Sequence, residues 1–242
     1  MIGIVGKSGF LGSNLAQRLD SAVDISKFSM DQLRNMHFES VYICAPSAKK
    51  YVVNSDPKQD MKDVKQIIER IREIRKIENL FLFSTIDVFA NSLSSSEPSL
   101  KLTDESYGGN RAYLENRLRN IFEKNLTIAR LCGLFGSKMV KNIIFDYKFQ
   151  RFDQLRKYNP NSKYQYMDVN LALDIALSSE FKGVSVNVVS EPISIHQIGI
   201  PLKFLDPSTQ CIQYDVKTQS RESGYFIDFR RSMDDIESFL ND

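Results

Sequence analysis

Met1-Ile2-Gly3-Ile4-Val5-Gly6-Lys7-Ser8-Gly9-Phe10-Leu11-Gly12 decides the fold class of this chain. A short apolar run stops at Gly6, and Leu11, Leu15 and Leu19 then recur at helical spacing, which predicts strand, turn and helix. A helix N-terminus presents unpaired N–H groups and partial positive charge, so it attracts phosphate wherever the preceding turn lets the backbone come close. Here Gly6 would permit the tight turn, Gly9 the approach of a pyrophosphate, and Gly12 close packing of helix on strand, with Ser8, Phe10 and Leu11 framing the same turn. No Lys-Ser or Lys-Thr follows the last glycine, which argues against an ATP-type phosphate loop.

Working outward, the alternation continues. Ala22 to Ile25 reads as a short strand, Met30 to Met36 as a short helix, and Ser40 to Cys44 as a strand leaving through Ala45-Pro46. From Asp60 to Ile77, Val64, Ile67, Ile68, Ile71 and Ile74 share one face of a long amphipathic helix. Leu80 to Phe83 is a buried strand opening onto Ser84-Thr85, and the serine-rich segment Asn91 to Glu97 is a loop. Gly108 to Phe122 is a helix and Leu126 to Leu131 a strand. Further on, Lys141 to Phe149, Leu171 to Ser179 and Met233 to Leu240 read as helices, Val184 to Val189 as a β-rich run, and Ser194 to Ile198 as a short element. This order predicts an α/β fold, a Rossmann-like doubly wound parallel sheet with a small C-terminal lobe. Residues 1–140 would form the dinucleotide-binding domain, and 141–242 would complete the sheet and build the substrate lobe.

Composition narrows the partners. Of 242 residues, 42% are hydrophobic and 26% charged, with 32 Lys and Arg against 30 Asp and Glu. No long single-sign run suggests nucleic acid or an anionic membrane, so the expected partner is a small molecule. The three cysteines, Cys44, Cys132 and Cys211, lack metal-ligand spacing, and no metal site is expected. Met1 to Val5 is too short for a signal-peptide core, and no apolar run is long enough to span a bilayer. A cytoplasmic location is the expectation. His37 and His196 belong to no nucleophile or metal constellation and read as structural or exposed.

Three further motifs follow in order: Phe83-Ser84-Thr85-Ile86-Asp87-Val88-Phe89 after a strand, Tyr107-Gly108-Gly109-Asn110-Arg111 opening a helix, and Ile128-Ala129-Arg130-Leu131 before Gly133-Leu134-Phe135-Gly136. With the glycine turn they resemble the extended short-chain dehydrogenase/reductase family, within it the nucleotide-sugar epimerases, dehydratases and 4-keto-reductases. The Ser-Thr-x-x-Val-Phe run is closest to the last group. The resemblance covers about the first 140 residues well and the remainder loosely.

What the resemblance implies is an NAD(P)-dependent reductase or epimerase acting on a nucleotide-activated sugar. Thr85 would bond the reacting oxygen and Tyr107 would exchange a proton with it, which requires a tyrosine pKa matched to the task. The family places a lysine four residues on; here Arg111 takes that position, and its planar fork is not equivalent to an ammonium. Arg111 and Tyr107 would face the nicotinamide ribose, Ser84 and Ala45-Pro46 would border the cofactor, and Asp87 and Asn142 would contact the substrate. Asp63 stands where the family usually has an asparagine facing the catalytic group. The cofactor is NADP or NAD. An acid ending the second strand, Asp24, would serve NAD, whereas a strand ending near Ile25 puts Ser26 and Lys27 beside the adenosine ribose and favours NADP. A homodimer through the two long helices is compatible with the resemblance. Because the lysine is absent, a non-catalytic dinucleotide-binding sensor or assembly protein is the alternative, and a cofactor-free scaffold a third reading.

Overall fold

β1 (Ile2–Val5) runs into the glycine turn and α1 (Phe10–Ala16), as the opening stretch predicts. The computed structural model describes residues 1–241. α1 ends three residues short of Leu19, and the chain turns at Ser21, φ 57°. β2 (Val23–Asp24), α2 (Met30–Leu33) and β3 (His37–Ile43) follow. α2 starts with a capping box in which the Ser29 hydroxyl accepts from the Gln32 N–H, while the Gln32 side chain accepts from the Ser29 N–H.

The long helix is displaced from its predicted span. A six-residue helix, α3 (Lys50–Ser55), precedes it, and α4 occupies Pro57–Glu73 rather than Asp60 to Ile77. Asp56 caps α4 by accepting from the Gln59 N–H, and Pro57 takes the first helical position, where its missing N–H costs nothing. Ile74 and Ile77 continue the apolar spacing and are buried, but from the link and from β4 (Lys76–Thr85). The apolar period therefore ran on past the helix it described. α5 (Tyr107–Phe122) and β5 (Leu126–Leu131) match their predicted spans to within a residue.

Six strands form one sheet in the order β2-β1-β3-β4-β5-β9, where β9 is Ser185–Val188. β1 pairs in parallel with β2, Ile4 opposite Asp24, and with β3, Val5 opposite Ile43. β3 and β4 are likewise parallel, and amide bonds from Ile128 to Val184 and from Cys132 to Val188 set β9 parallel to the β5 segment. The order reverses between β1 and β3, so the glycine turn and the loop after β3 both leave from the carboxyl ends of strands at the switch point. The core beneath is built from Val41, Ile43, Leu80 and Leu82 of the sheet with Val64, Ile68, Ile71, Leu114 and Leu118 of α4 and α5.

The chain forms two compact units, the first from Met1–Ala90, Ser99–Arg130 and Ala176–Val186. The second comprises Asn91–Pro98, Leu131–Ile175 and the residues from Asn187 onward. It contains a parallel pair, β6 (Gly133–Phe135) with β8 (Tyr166–Asp168), and an antiparallel pair, β7 (Lys163–Tyr164) with β10 (Ile193–Ser194). Its helices are α6 (Ile143–Lys148), α7 (Phe152–Leu155), most of α8 (Val169–Ala176), and α9 (Phe229–Asn241). With little regular structure, this unit relies on buried polar side chains. Gln165 donates to the carbonyls of Ser190 and Val216 and accepts from the Val216 N–H. Glu97, at the end of the predicted serine-rich loop, accepts from Asn187, Thr218 and Gln219. Among the described residues, no helix is long and apolar enough to cross a membrane.

Candidate active site

The three glycines of the turn meet different constraints. Gly6 has φ 80°, a left-handed conformation that suits glycine. A Cβ on Gly12 would sit 2.1 Å from the Gly6 carbonyl oxygen, so close packing of α1 on the turn excludes any side chain there. A Cβ on Gly9 would meet nothing nearer than 3.4 Å, an ordinary contact. Gly9 is also the exposed N-cap of α1 and offers no side-chain acceptor, which leaves the first-turn N–H groups of Leu11 and Gly12 for an outside oxygen. Ser8 is exposed, and Phe10 and Leu11 are partly exposed. This backbone fits a pyrophosphate.

The neighbouring loops complete that end of the sheet. A Cβ on Gly6 would lie 3.0 Å from the Ala45 Cβ, so the loop after β3 abuts the turn, and its Ala45-Pro46 peptide is cis. β2 ends on Asp24 rather than Ile25. Ser26 and Lys27 fall in a single 3-10 turn capped by the Asp24 carboxylate, whose Oδ1 accepts from the Ser26 N–H at 3.0 Å and from its hydroxyl at 2.7 Å. The strand thus ends one residue before Ile25, and Ser26 and Lys27 follow directly after it. The residue closing the strand is an acid with its Oδ2 open among the described residues.

The second cluster lies in the same unit. Ser106 caps α5 by accepting from Gly109, and the Tyr107 N–H donates to the Asn54 side chain of α3. Gly108 and Gly109 explain how Tyr107 comes to its position. Cβ atoms there would fall 2.0 Å from the Asp87 carbonyl oxygen and 1.9 Å from that of Asp104, so the first turn of α5 can press against both segments only without side chains. Thr85, at the carboxyl end of β4, caps the turn Ile86–Val88, accepting from the Asp87 N–H, and its hydroxyl lies 3.4 Å from the Asp87 carboxylate. Asp87 pairs with Lys50 of α3 at 2.7 Å. Ser84, next to Thr85, is buried.

Arg111 is 5% exposed and committed to a buried pair. Its guanidinium meets Asp60 of α4 through two bonds, 2.8 and 3.0 Å, and donates to the Ser47 carbonyl at 2.8 Å. Asn110 adds a 2.7 Å bond to the same carboxylate. The guanidinium carbon lies 4.6 Å from the centre of the Tyr107 ring. Burial pushes the Tyr107 hydroxyl up to about 12; Arg111 and Thr85 pull it down, Asp87 and Asp60 push it up, and burial wins.

No protein-family model matches the chain, and no curated protein matches it by sequence. Among solved structures it is similar to dTDP-4-dehydrorhamnose reductase from Yersinia enterocolitica, at 14% identity and TM-score 0.74 over 99% of this chain and 98% of that one. It is also similar to a UDP-galactose 4-epimerase, at 13% identity and TM-score 0.76 over 100% and 97% of the two chains. A third is the Bordetella bronchiseptica enzyme WbmG in complex with NAD and UDP, at 14% identity and TM-score 0.70 over 99% and 93%. What is shared is the fold. It is the Rossmann-like α/β architecture that the opening stretch predicts.

Of the residues singled out in the sequence, one unit assembles Gly6, Gly9, Gly12 and Ala45 at the turn, and Thr85, Asp87, Tyr107 and Arg111 at the second cluster. The loop after β3 touches both, through Ala45 and the Ser47 carbonyl. Asn142 belongs to the other unit. There it caps α6, its Oδ1 accepting from Phe145 at 2.7 Å and its amide donating to Leu134 at 3.0 Å. The carboxylate facing α5 is Asp60 and not Asp63, which instead accepts from Gln59. Asn54, Lys50 and Asp60 were missed. For Asp60 a signal existed: it lies three residues into a helix that starts at Asp56-Pro57, on the face four and seven residues before Val64 and Ile67.

Proposed function

We propose that this chain binds a nicotinamide dinucleotide at the glycine turn and acts on a nucleotide-activated sugar, with Tyr107 and Thr85 at the reacting oxygen. The observation that carries the reading is the buried Tyr107 at the start of α5, where Gly108 presses the helix against Asp87 and so against the turn that Thr85 caps at the carboxyl end of β4, in the unit that also holds the glycine turn. The likeness of fold to proteins solved with NAD and UDP supports the same reading. A nicotinamide dinucleotide held there by Gly6, Gly9 and Gly12 would supply hydride chemistry at the sugar carbon. Thr85 would orient the oxygen and Tyr107 would move the proton, while Asp87, held by Lys50, would border the sugar.

NAD is the cofactor this site favours. The Ile4–Asp24 register sets an acid level with the strand that feeds the glycine turn, where Oδ2 suits a ribose hydroxyl and repels a 2′-phosphate. Fluorescence titration should give tighter binding of NADH than NADPH, and Asp24→Asn should narrow the ratio by about tenfold or more. Turnover is read as loss of reduced-cofactor fluorescence with a panel of nucleotide 4-keto-sugars. Saturable cofactor binding without turnover on any of them would sink the enzymatic reading.

A second reading, a non-catalytic dinucleotide-binding protein, is favoured by one observation: Arg111 is spent on Asp60 and Ser47. Arg111→Lys separates the two, since a large rise in turnover marks an impaired enzyme and silence in both forms marks a sensor. A scaffold would show no saturable binding at all.

A further inference from the structure

Two charges that bear on Tyr107 from beneath come from different helices, Asp60 from α4 and Arg111 from α5. They meet in a bidentate pair with both side chains 5% exposed, and Asn110 and the Ser47 carbonyl complete its hydrogen bonding. Such geometry fixes the guanidinium plane more tightly than a lone cation would be held, and it closes the charge balance of the pair at zero. The pair is one wall of the tyrosine's surroundings. Beside it stand Asp87, itself paired with Lys50 of α3, and the neutral Thr85, while Asn54 accepts from the Tyr107 backbone N–H. The charges of these four side chains, Asp60, Arg111, Asp87 and Lys50, sum to zero.

We propose that Asp60 is a positioning residue: it clamps Arg111 in a neutral pair against the Tyr107 ring, so that Tyr107 rests protonated and holds a proton to give to a carbonyl oxygen. The direction of proton transfer rests on the reading of Tyr107 as acid/base; the clamp does not. In that direction the carbonyl carbon gains a hydride from a reduced nicotinamide and the carbonyl oxygen gains the Tyr107 proton. The C=O becomes CH–OH, the nicotinamide is oxidised, and solvent returns a proton to the phenolate.

The clamp is tested without cofactor. In protein labelled with 13C at tyrosine, the Tyr107 resonance is assigned by its loss in Tyr107→Phe and followed with pH in wild type, Asp60→Asn and Asp60→Asn/Arg111→Gln. At pH 10, where an unperturbed phenol is about half ionised, wild-type Tyr107 should remain protonated. Asp60→Asn uncovers the Arg111 charge, so Tyr107 should titrate about one unit lower. The double variant removes both charges and should titrate within about half a unit of wild type. It also serves if Asp60→Asn fails to fold, since a neutral replacement avoids stranding a buried cation. An unmoved Tyr107 in folded Asp60→Asn, or a shift of a unit or more in the double variant, overturns the clamp. Separately, absence of saturable NADH binding by wild type would defeat the dinucleotide reading and leave the titration result standing.

Discussion

At the scale of single residues, Gly9 and Gly12 look alike in sequence but face different demands. Gly12 is required by the fold, because a methyl group would drive into the Gly6 carbonyl at 2.1 Å. Gly9 is free of that demand: its φ of −71° suits any residue and its Cβ position is open. Gly12→Ala should therefore destabilise the protein by about 2–4 kcal/mol in urea unfolding, as backbone strain does. Gly9→Ala should leave stability within about 0.5 kcal/mol and weaken dinucleotide binding tenfold or more, because the methyl group would stand where the pyrophosphate comes closest. Loss of stability without loss of binding in Gly9→Ala would mean that the turn serves structure alone. The sequence reading already gives the two glycines different roles, and the Cβ distances separate them in the same sense.

At the scale of elements, α5 shows where sequence reading reaches its end. Its span and its start at Tyr107 were legible, since Ser106 caps it and the Gly-Gly pair flags a close approach. Its interior was not. Asn110, Arg111 and Glu115 are buried along it, so no simple polar stripe exists. Each polar side chain finds its partner on another element, a relation that no periodicity within the helix can encode. Asp60 was passed over in favour of Asp63 for a related reason: with α4 predicted to start three residues late, Asp60 stood at the helix end and not on its inward face.

Glu115 is the clearest such case. It accepts from Arg130 of β5 at 2.9 Å and pairs with Lys101 at 2.9 Å, while Glu115 is 0% and Arg130 2% exposed. Burial pushes the Glu115 carboxyl upward, but Arg130 and Lys101 outweigh it and hold the group below its ordinary range. Its folded pKa being depressed, the stability it contributes is present above about pH 4.3 and is lost as pH falls through the folded value. Glu115→Ala strands a buried arginine and should cost about 3–5 kcal/mol near neutrality, measured by urea unfolding. The gap between wild type and Glu115→Gln should shrink in acid; a gap constant from pH 7 to 3 would show that the pair contributes no charge-dependent stability.

At the scale of the whole molecule, the linear sequence is a poor guide to how the chain is divided. The first unit draws on three separated segments, the last of them Ala176–Val186, and the sheet gains its sixth strand from Ser185–Val188. A fragment ending at residue 140 lacks that strand and leaves β5, buried along its whole length, without its outer neighbour. It should melt without a cooperative transition and bind a hydrophobic dye, whereas extension to residue 188 should restore part of the cooperativity. A fragment 1–140 with a sharp melt would show that the first five strands suffice. The strand order also carries a consequence in time. The edge of β5 emerges about 60 residues before β9 does. At cellular synthesis rates of about 5–20 residues per second, that edge would wait roughly 3 to 12 seconds uncovered. During that interval a nascent chain is open to strand pairing with its neighbours, and its yield in the cell should depend on chaperone supply and growth temperature more than the finished protein's stability suggests.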